Sequence, residues 1–216
     1  MLKEQVKKKR AEINTFLARH KTEIEAGEMV VLFIDECHLR SGDVCGYVWG
    51  QTNSRIEIPI KNEKDRQTYF GALDYHTKEF TVEAYPAGNG ESTVKFVKNL
   101  QYKYPNKKIV LIWDEASYHR FIVGATTIGE FQEYLGEVNR SSLPESLEIT
   151  CILFAPNAPQ QNPVEDVWLQ AKNFLRKYWY LCKSFCTAKK LFELFYDSSK
   201  FDFPKIHKYH FSQEIN

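Results

Sequence analysis

Apolar residues along the chain follow two spacings, and the alternation between them outlines the elements. Over the first 26 residues Leu2, Val6, Ile13, Phe16, Leu17 and Ile24 recur every three to four positions, which predicts a helix that Gly27 stops. Val30–Ile34 is an unbroken apolar run closed by Asp35, the pattern of a strand buried on both faces. The segments Val44–Trp49 and Ile56–Ile60 predict a small hairpin. Thr68–Tyr75 and Glu79–Tyr85 are β-rich runs joined across the turn-like His76-Thr77-Lys78. After the break at Gly88–Gly90, Val94, Val97 and Leu100 mark the inner face of a helix over Glu91–Tyr104.

The second half repeats the same grammar. Ile109–Trp113 is another unbroken apolar run, closed by Asp114. A helix is predicted over His119–Val138, a polar loop follows, and Glu148–Phe154 reads as another buried strand. The proline-rich connector Ala155–Pro163 leads into a helix from Pro163 to about Tyr180, and a last helix spans about Thr187–Tyr196. Antiparallel strands followed by strand–helix–strand units predict an α/β fold: a mixed five-stranded sheet flanked by helices, in ribonuclease H-like order, with the hairpin inserted after the first strand. The expected division is a linker helix over 1–27, a ribonuclease H-like domain over 28–181, and a basic helical tail over 182–216 packed on or extending that domain.

Composition narrows this little. Of the 216 residues 43% are apolar and 26% charged, as in globular proteins, and the net charge of +1 gives no global basic field. The cations are uneven, however: Lys7–Arg10 form a run, and Lys172–Lys208 holds nine Lys or Arg against three acids. Either group could meet phosphates or simply be a solvated helix face. Five cysteines without a CxxC pair predict idle thiols in a reducing compartment. The charged N-terminus has no signal-peptide pattern and no apolar run reaches membrane length, so a cytoplasmic location without a membrane partner is expected.

The chemistry lies in acids placed at element ends. In open α/β sheets ligand-binding groups gather at strand ends, where Asp35 and Asp114 are expected. A buried carboxylate without a partner is costly, and a bound hard cation removes that cost. Glu165 follows Asn162-Pro163 in the first helical turn, where helix logic alone favours the N3 member of a capping box, a role that does not exclude a carboxylate aimed by that turn.

Three segments bear a resemblance. Phe33-Ile34-Asp35-Glu36, Ile112-Trp113-Asp114-Glu115-Ala116-Ser117-Tyr118-His119, and Ala155-Pro156 through Pro159-Gln160-Gln161-Asn162-Pro163-Val164-Glu165-Asp166-Val167-Trp168 to Lys172 resemble the IS630 group of the Tc1/mariner transposase superfamily, over about residues 28–180. The resemblance implies a DNA transposase catalytic domain with the acidic triad Asp35, Asp114 and Glu165. It also implies two Mg²⁺ or Mn²⁺ ions per site, hydrolysis at transposon ends, and attack of the freed 3′-hydroxyl on target DNA. The implied partners are transposon-end and target DNA and a second copy of the chain, with a nucleoid-associated, prokaryotic setting.

Three departures stand out. Glu115 replaces the family's Asn, fifty residues separate Asp114 from Glu165 where the family has fewer, and one predicted helix precedes the first strand instead of helix-turn-helix domains. A separate upstream helix-turn-helix chain is one arrangement that would restore end recognition. Accessory candidates are His119, Glu36, Glu115 and Lys172, the last two turns beyond Glu165 on nearly the same helix face. Asp74 reads as a turn or surface residue and Trp168 as core. Two other functions stay open: a ribonuclease H-like nuclease without strand transfer, and a non-catalytic DNA-binding relic or accessory protein.

Overall fold

A computed structural model describes residues 2–45, 51–53, 64–114, 149–198 and 200–211. Most of the expected hairpin, the expected helix over His119–Val138, and the candidates Glu115 and His119 lie outside the described residues.

The centre of the fold is β1 (Met29–Arg40). It pairs antiparallel with β2 (Arg66–Asp74) from Leu32↔Asp74 to Arg40↔Arg66. On its other side it pairs parallel with β4 (Lys108–Trp113) from Met29↔Lys108 to Phe33↔Ile112. β3 (Phe80–Tyr85) adds antiparallel outside β2, and β5 (Ile149–Leu153) adds parallel outside β4. The sheet order is β3-β2-β1-β4-β5, the mixed five-stranded sheet of the ribonuclease H-like fold.

The strand run Val30–Ile34 predicts an end at Asp35, but β1 continues five residues further. Beyond Ile34 the pattern becomes one-faced: Cys37 and Leu39 are buried while His38 and Arg40 are exposed. Among the described residues, pairing with β2 alone carries this half, since the β4 pairing has ended. Asp35 therefore lies inside a strand, whereas Asp114 directly follows one.

Strand alternation divides the core in two. Phe33, Cys37, Leu73, Val110 and Ile112 share one face with Ile13 and Leu17 of α1 (Leu2–Arg19) and Val167, Trp168 and Leu175 of α4 (Val164–Lys177). Phe192 of α5 (Phe185–Ser198) and the C-terminal residues Ile206 and Tyr209 complete that cluster. The other face, with Leu32, Ile34, Phe70 and Leu111, is covered by Val94, Phe96, Val97 and Leu100 of α3 (Gly90–Lys103).

Local signals account for the boundaries. The N-terminal helix breaks at His20 into α1 and a short α2 (Lys21–Glu25), and Gly27, with φ of 71°, ends it as its sequence predicts. Asp74 Oδ1 accepts the N–H groups of His76 (2.7 Å) and Thr77 (3.1 Å), which makes it the turn residue expected between β2 and β3. Asn89 caps α3 by accepting the Ser92 N–H at 2.9 Å. Among the described residues no helix is long and apolar enough to cross a membrane.

Candidate functional site

Sheet register places the first two acids. The last parallel pair of β1 and β4 is Phe33↔Ile112, and Asp35 and Asp114 each stand two residues further on. They therefore emerge at one level from neighbouring strands, which lie about 4.8 Å apart. Alternation sends both toward the face that carries Phe33 and Ile112, under α4. Just past β5, the Phe154 N–H donates to the Trp113 carbonyl at 2.8 Å, so the chain leaving that strand rises beside Asp114.

The connector delivers the third acid. Gln161 is buried and clamps it, its Oε1 accepting the Ala155 N–H at 2.8 Å and its Nε2 donating to the Val6 carbonyl at 3.1 Å. Next to it, Asn162 Nδ2 donates to the Ile34 carbonyl at 2.8 Å while its Oδ1 accepts the Val164 N–H at 3.1 Å. One side chain thus ties the start of α4 to the strand residue before Asp35. The expected capping box does not form. The Asn162 N–H donates to the Pro159 carbonyl at 3.1 Å, so the backbone donor that Glu165 would have capped is already engaged. Glu165 remains in the first turn of α4, half-buried.

Asp35, Asp114 and Glu165 line one cavity of about 530 Å³, together with Phe154, Pro156 and Asn162. Within it Asp35 Oδ2 is buried without a hydrogen-bond partner. Burial holds the Asp35 carboxyl well above the usual carboxylate range, and the charges of Glu165, Glu36 and Asp114 add to the shift; the nearby Trp168 indole N–H acts in the opposite sense. Burial also raises Glu165, which Lys205 and Lys172 oppose and Asp114 and Asp166 reinforce.

This donor set suits a hard divalent cation: an orphaned carboxylate oxygen in a polar cavity with two more carboxylates on its wall. Among the described residues no three His, Cys, Asp or Glu side chains form a ready-made cluster around one ion position. An ion held by one or two carboxylates and completed by water needs no such cluster.

The other candidates fall around this cavity. Lys172 lies in an adjoining groove with Cys37, His38 and Glu165, and pairs with Asp43 at 3.2 Å. Glu36 follows Asp35 and by alternation starts toward the opposite sheet face, yet it also borders the groove that holds Lys172 and Glu165. Burial pushes the Cys37 thiol up to about 12, so it carries no thiolate at neutral pH. Trp168 is core, as its spacing predicts. Sequence reading missed a clamp beside Glu165: buried Asp166 accepts the Lys205 N–H at 2.9 Å and pairs with Lys205 Nζ at 3.1 Å. Its only sequence signal is an acid placed one residue off the exposed face of α4.

Residues 30–184 match the family described as DDE superfamily endonuclease. Among solved structures, the chain resembles the Mos1 strand transfer complex at 16% identity and a TM-score of 0.52, covering 96% of this chain and 59% of that one. It also resembles the Mos1 transposase paired-end complex with the left transposon end, at 15% identity and a TM-score of 0.52, over 96% of this chain and 60% of that one. A third likeness is to the Mos1 mariner paired end complex with Mn, at 16% identity and a TM-score of 0.54, over 96% of this chain and 60% of that one. At these identities the likeness is one of fold, and the chain spans about three-fifths of the length of those chains. No curated protein sequence matches.

Proposed function

The chain belongs to the DDE superfamily endonucleases, and from that membership we propose that it is the catalytic part of a DNA transposase of Tc1/mariner type, IS630 group. It cuts phosphodiester bonds at transposon ends and joins the freed 3′-hydroxyl to target DNA, working as a dimer because a transposon has two ends. The observation that carries this reading is the cavity in which Asp35, Asp114 and Glu165 meet around a buried, unpartnered carboxylate oxygen. The Mos1 complexes named above, one with Mn and two with paired ends, support the same reading of metal and partner.

Asp35, Asp114 and Glu165 would hold two Mg²⁺ or Mn²⁺ ions. Bound there, such ions would supply activation of the attacking oxygen and stabilisation of the leaving one. The protein's own part is placement. The sheet register sets the two Asp side chains level, Asn162 holds the first turn of α4 against β1, and the apolar floor of Phe33 and Phe154 keeps the site stiff. Positioning and charge neutralisation are what this chemistry asks of a protein.

The test is calorimetric titration of Mn²⁺ into the wild-type chain and into Asp35→Ala, Asp114→Ala and Glu165→Ala, without and with transposon-end DNA, followed by cleavage and strand-transfer assays. Lost binding in the Asp variants, weakened binding in the Glu variant, and a joined product support the proposal. Cleavage without joining makes the chain a ribonuclease H-like nuclease. Four identical titrations, with DNA bound and uncut, make it a non-catalytic DNA-binding protein.

A further inference from the structure

Glu165, Leu169, Lys172 and Arg176 follow one another at spacings of four, three and four along α4, so they form a single stripe on that helix. The stripe starts at the acid cavity, runs past the groove that holds Leu169 and Lys172, and ends at the turn joining α4 to α5. That turn is Trp179–Leu181, three consecutive large apolar residues with 48%, 49% and 45% of their surfaces exposed. The Trp179 and Tyr180 rings meet edge to face at 6.5 Å, and Lys177 Nζ sits over the neighbouring Tyr178 ring at 5.5 Å. The surrounding sequence is one-signed: Val167–Phe192 contains six Lys or Arg and no Asp or Glu, in a chain whose net charge is +1. At the inner end Lys172 is matched by Asp43, and Lys189 lies 3.8 Å from Glu193, so the positive charge gathers outward, around Arg176, Lys177 and Lys183. Arg176 Nε is buried there without a hydrogen-bond partner.

Exposed aromatics within a cationic, acid-free segment match one kind of partner. Phosphates neutralise the cations, and bases offer flat faces to stack on the rings. We propose that the α4 stripe and the Trp179–Tyr180 turn form a track for a nucleic-acid strand that leads into the acid cavity, with unpaired bases stacked at the turn. This rests on the reading of the cavity as a phosphodiester-cutting site. α4 rises 1.5 Å per residue, so Lys177 lies about 18 Å from Glu165, the length of about five nucleotides. The track thus engages a strand a few nucleotides from the bond being cut.

The experiment measures fluorescence anisotropy with two labelled DNA probes, a blunt duplex and the same duplex with a short single-stranded overhang. The proteins are wild type, Trp179→Ala with Tyr180→Ala, Lys177→Ala with Lys183→Ala, and Asp114→Asn. All the tip residues changed are at the surface or in the turn, and melting temperatures are checked alongside. The aromatic variant should bind the overhang probe roughly 5- to 100-fold more weakly, with the blunt duplex little changed. The lysine variant should weaken both probes and flatten the salt dependence. Asp114→Asn should bind as wild type and fail to cut, which separates the track from the catalytic reading. Tip variants that bind both probes as wild type overturn the track while leaving cutting untouched. Variants that alter only the sedimentation of the free protein overturn it in favour of an interface between copies of the chain.

Discussion

Asp35 and Asp114 stand at one level of two hydrogen-bonded parallel strands, each two residues past the pair Phe33↔Ile112. The sheet thereby forces two carboxylates together, and α4 brings Glu165 to the same cavity. Three like charges in a partly buried space are unfavourable to the empty fold, and the first test follows from that cost.

Asp35→Asn should stabilise the cation-free protein. The Asp35 carboxyl is raised by burial and by neighbouring acids, so its contribution to stability is fully present below the ordinary carboxylate range and is lost as pH rises through its folded-state value. Above that folded-state value, removing the charge should raise the stability of the cation-free chain. Thermal melts should show a rise of several degrees for the variant, and no further rise on adding Mn²⁺. A variant that melts below wild type, or that still responds to Mn²⁺, contradicts the assignment of Asp35.

Protons and cations should compete for the same site. Mn²⁺ affinity, measured by calorimetry at successive pH values, should climb from the ordinary carboxylate range up toward neutrality, and binding should release protons to the buffer. A pH-independent affinity would place the ion elsewhere.

Gly71→Ala tests how the floor of the site is packed. Gly71 pairs with Asp35 across β1 and β2, and a Cβ there would meet Phe80 Cζ at 2.6 Å and Trp168 Cζ2 at 2.7 Å. Both rings are wedged between sheet and helices, so the added methyl pushes on α4. Overpacking of this kind costs about 1–3 kcal/mol. The expected result is a lower melting temperature and slower cleavage with DNA affinity little changed. Unaltered cleavage would show that α4 absorbs the shift without moving Glu165.

Asn162→Ala removes both bonds that fix the start of α4. The Ile34 carbonyl loses a donor and the Val164 N–H loses an acceptor, both in buried surroundings, at a cost of about 1–3 kcal/mol. Cleavage should fall more than stability predicts, because Glu165 loses its anchor to the strand bearing Asp35. Comparison of melting with cleavage rate, set beside Gly71→Ala, decides this.

Much of the fold and of the acid site is legible in the sequence. Short unbroken apolar runs rich in β-branched residues suggest strands covered on both faces, so Val30–Ile34 and Ile109–Trp113 point to the inner strands β1 and β4. The prolines around Asn162 announced the start of α4. The extension of β1 to Arg40 was hidden because its pattern changes at Asp35, where one neighbouring strand stops and the other continues. Asn162 looked like half of a capping box, since local spacing cannot show that its amide reaches a carbonyl 128 residues away. The Asp166–Lys205 clamp is hidden from the sequence for the same reason: two surface-type residues far apart in the chain pair through tertiary packing, with the acid buried and the lysine half-buried.

Thiol reactivity should separate the cysteines. Cys37 is buried with its thiol pushed up to about 12, while Cys186 is exposed. Iodoacetamide near neutral pH should modify Cys186 and spare Cys37 until the chain is denatured, as peptide mass mapping can show. Rapid labelling of Cys37 in the native protein would mean that the β1–α4 groove opens.

The bond from Asn162 to the Ile34 carbonyl has a consequence for how such a chain diversifies. The third acid is held by a strand 128 residues earlier in the chain, while β5 and the clamped connector fix the segment that leads into it. A change of length placed before β5 would leave all of these anchors in place, whereas the same change placed between β5 and Asn162 would carry Glu165 off the strand that bears Asp35.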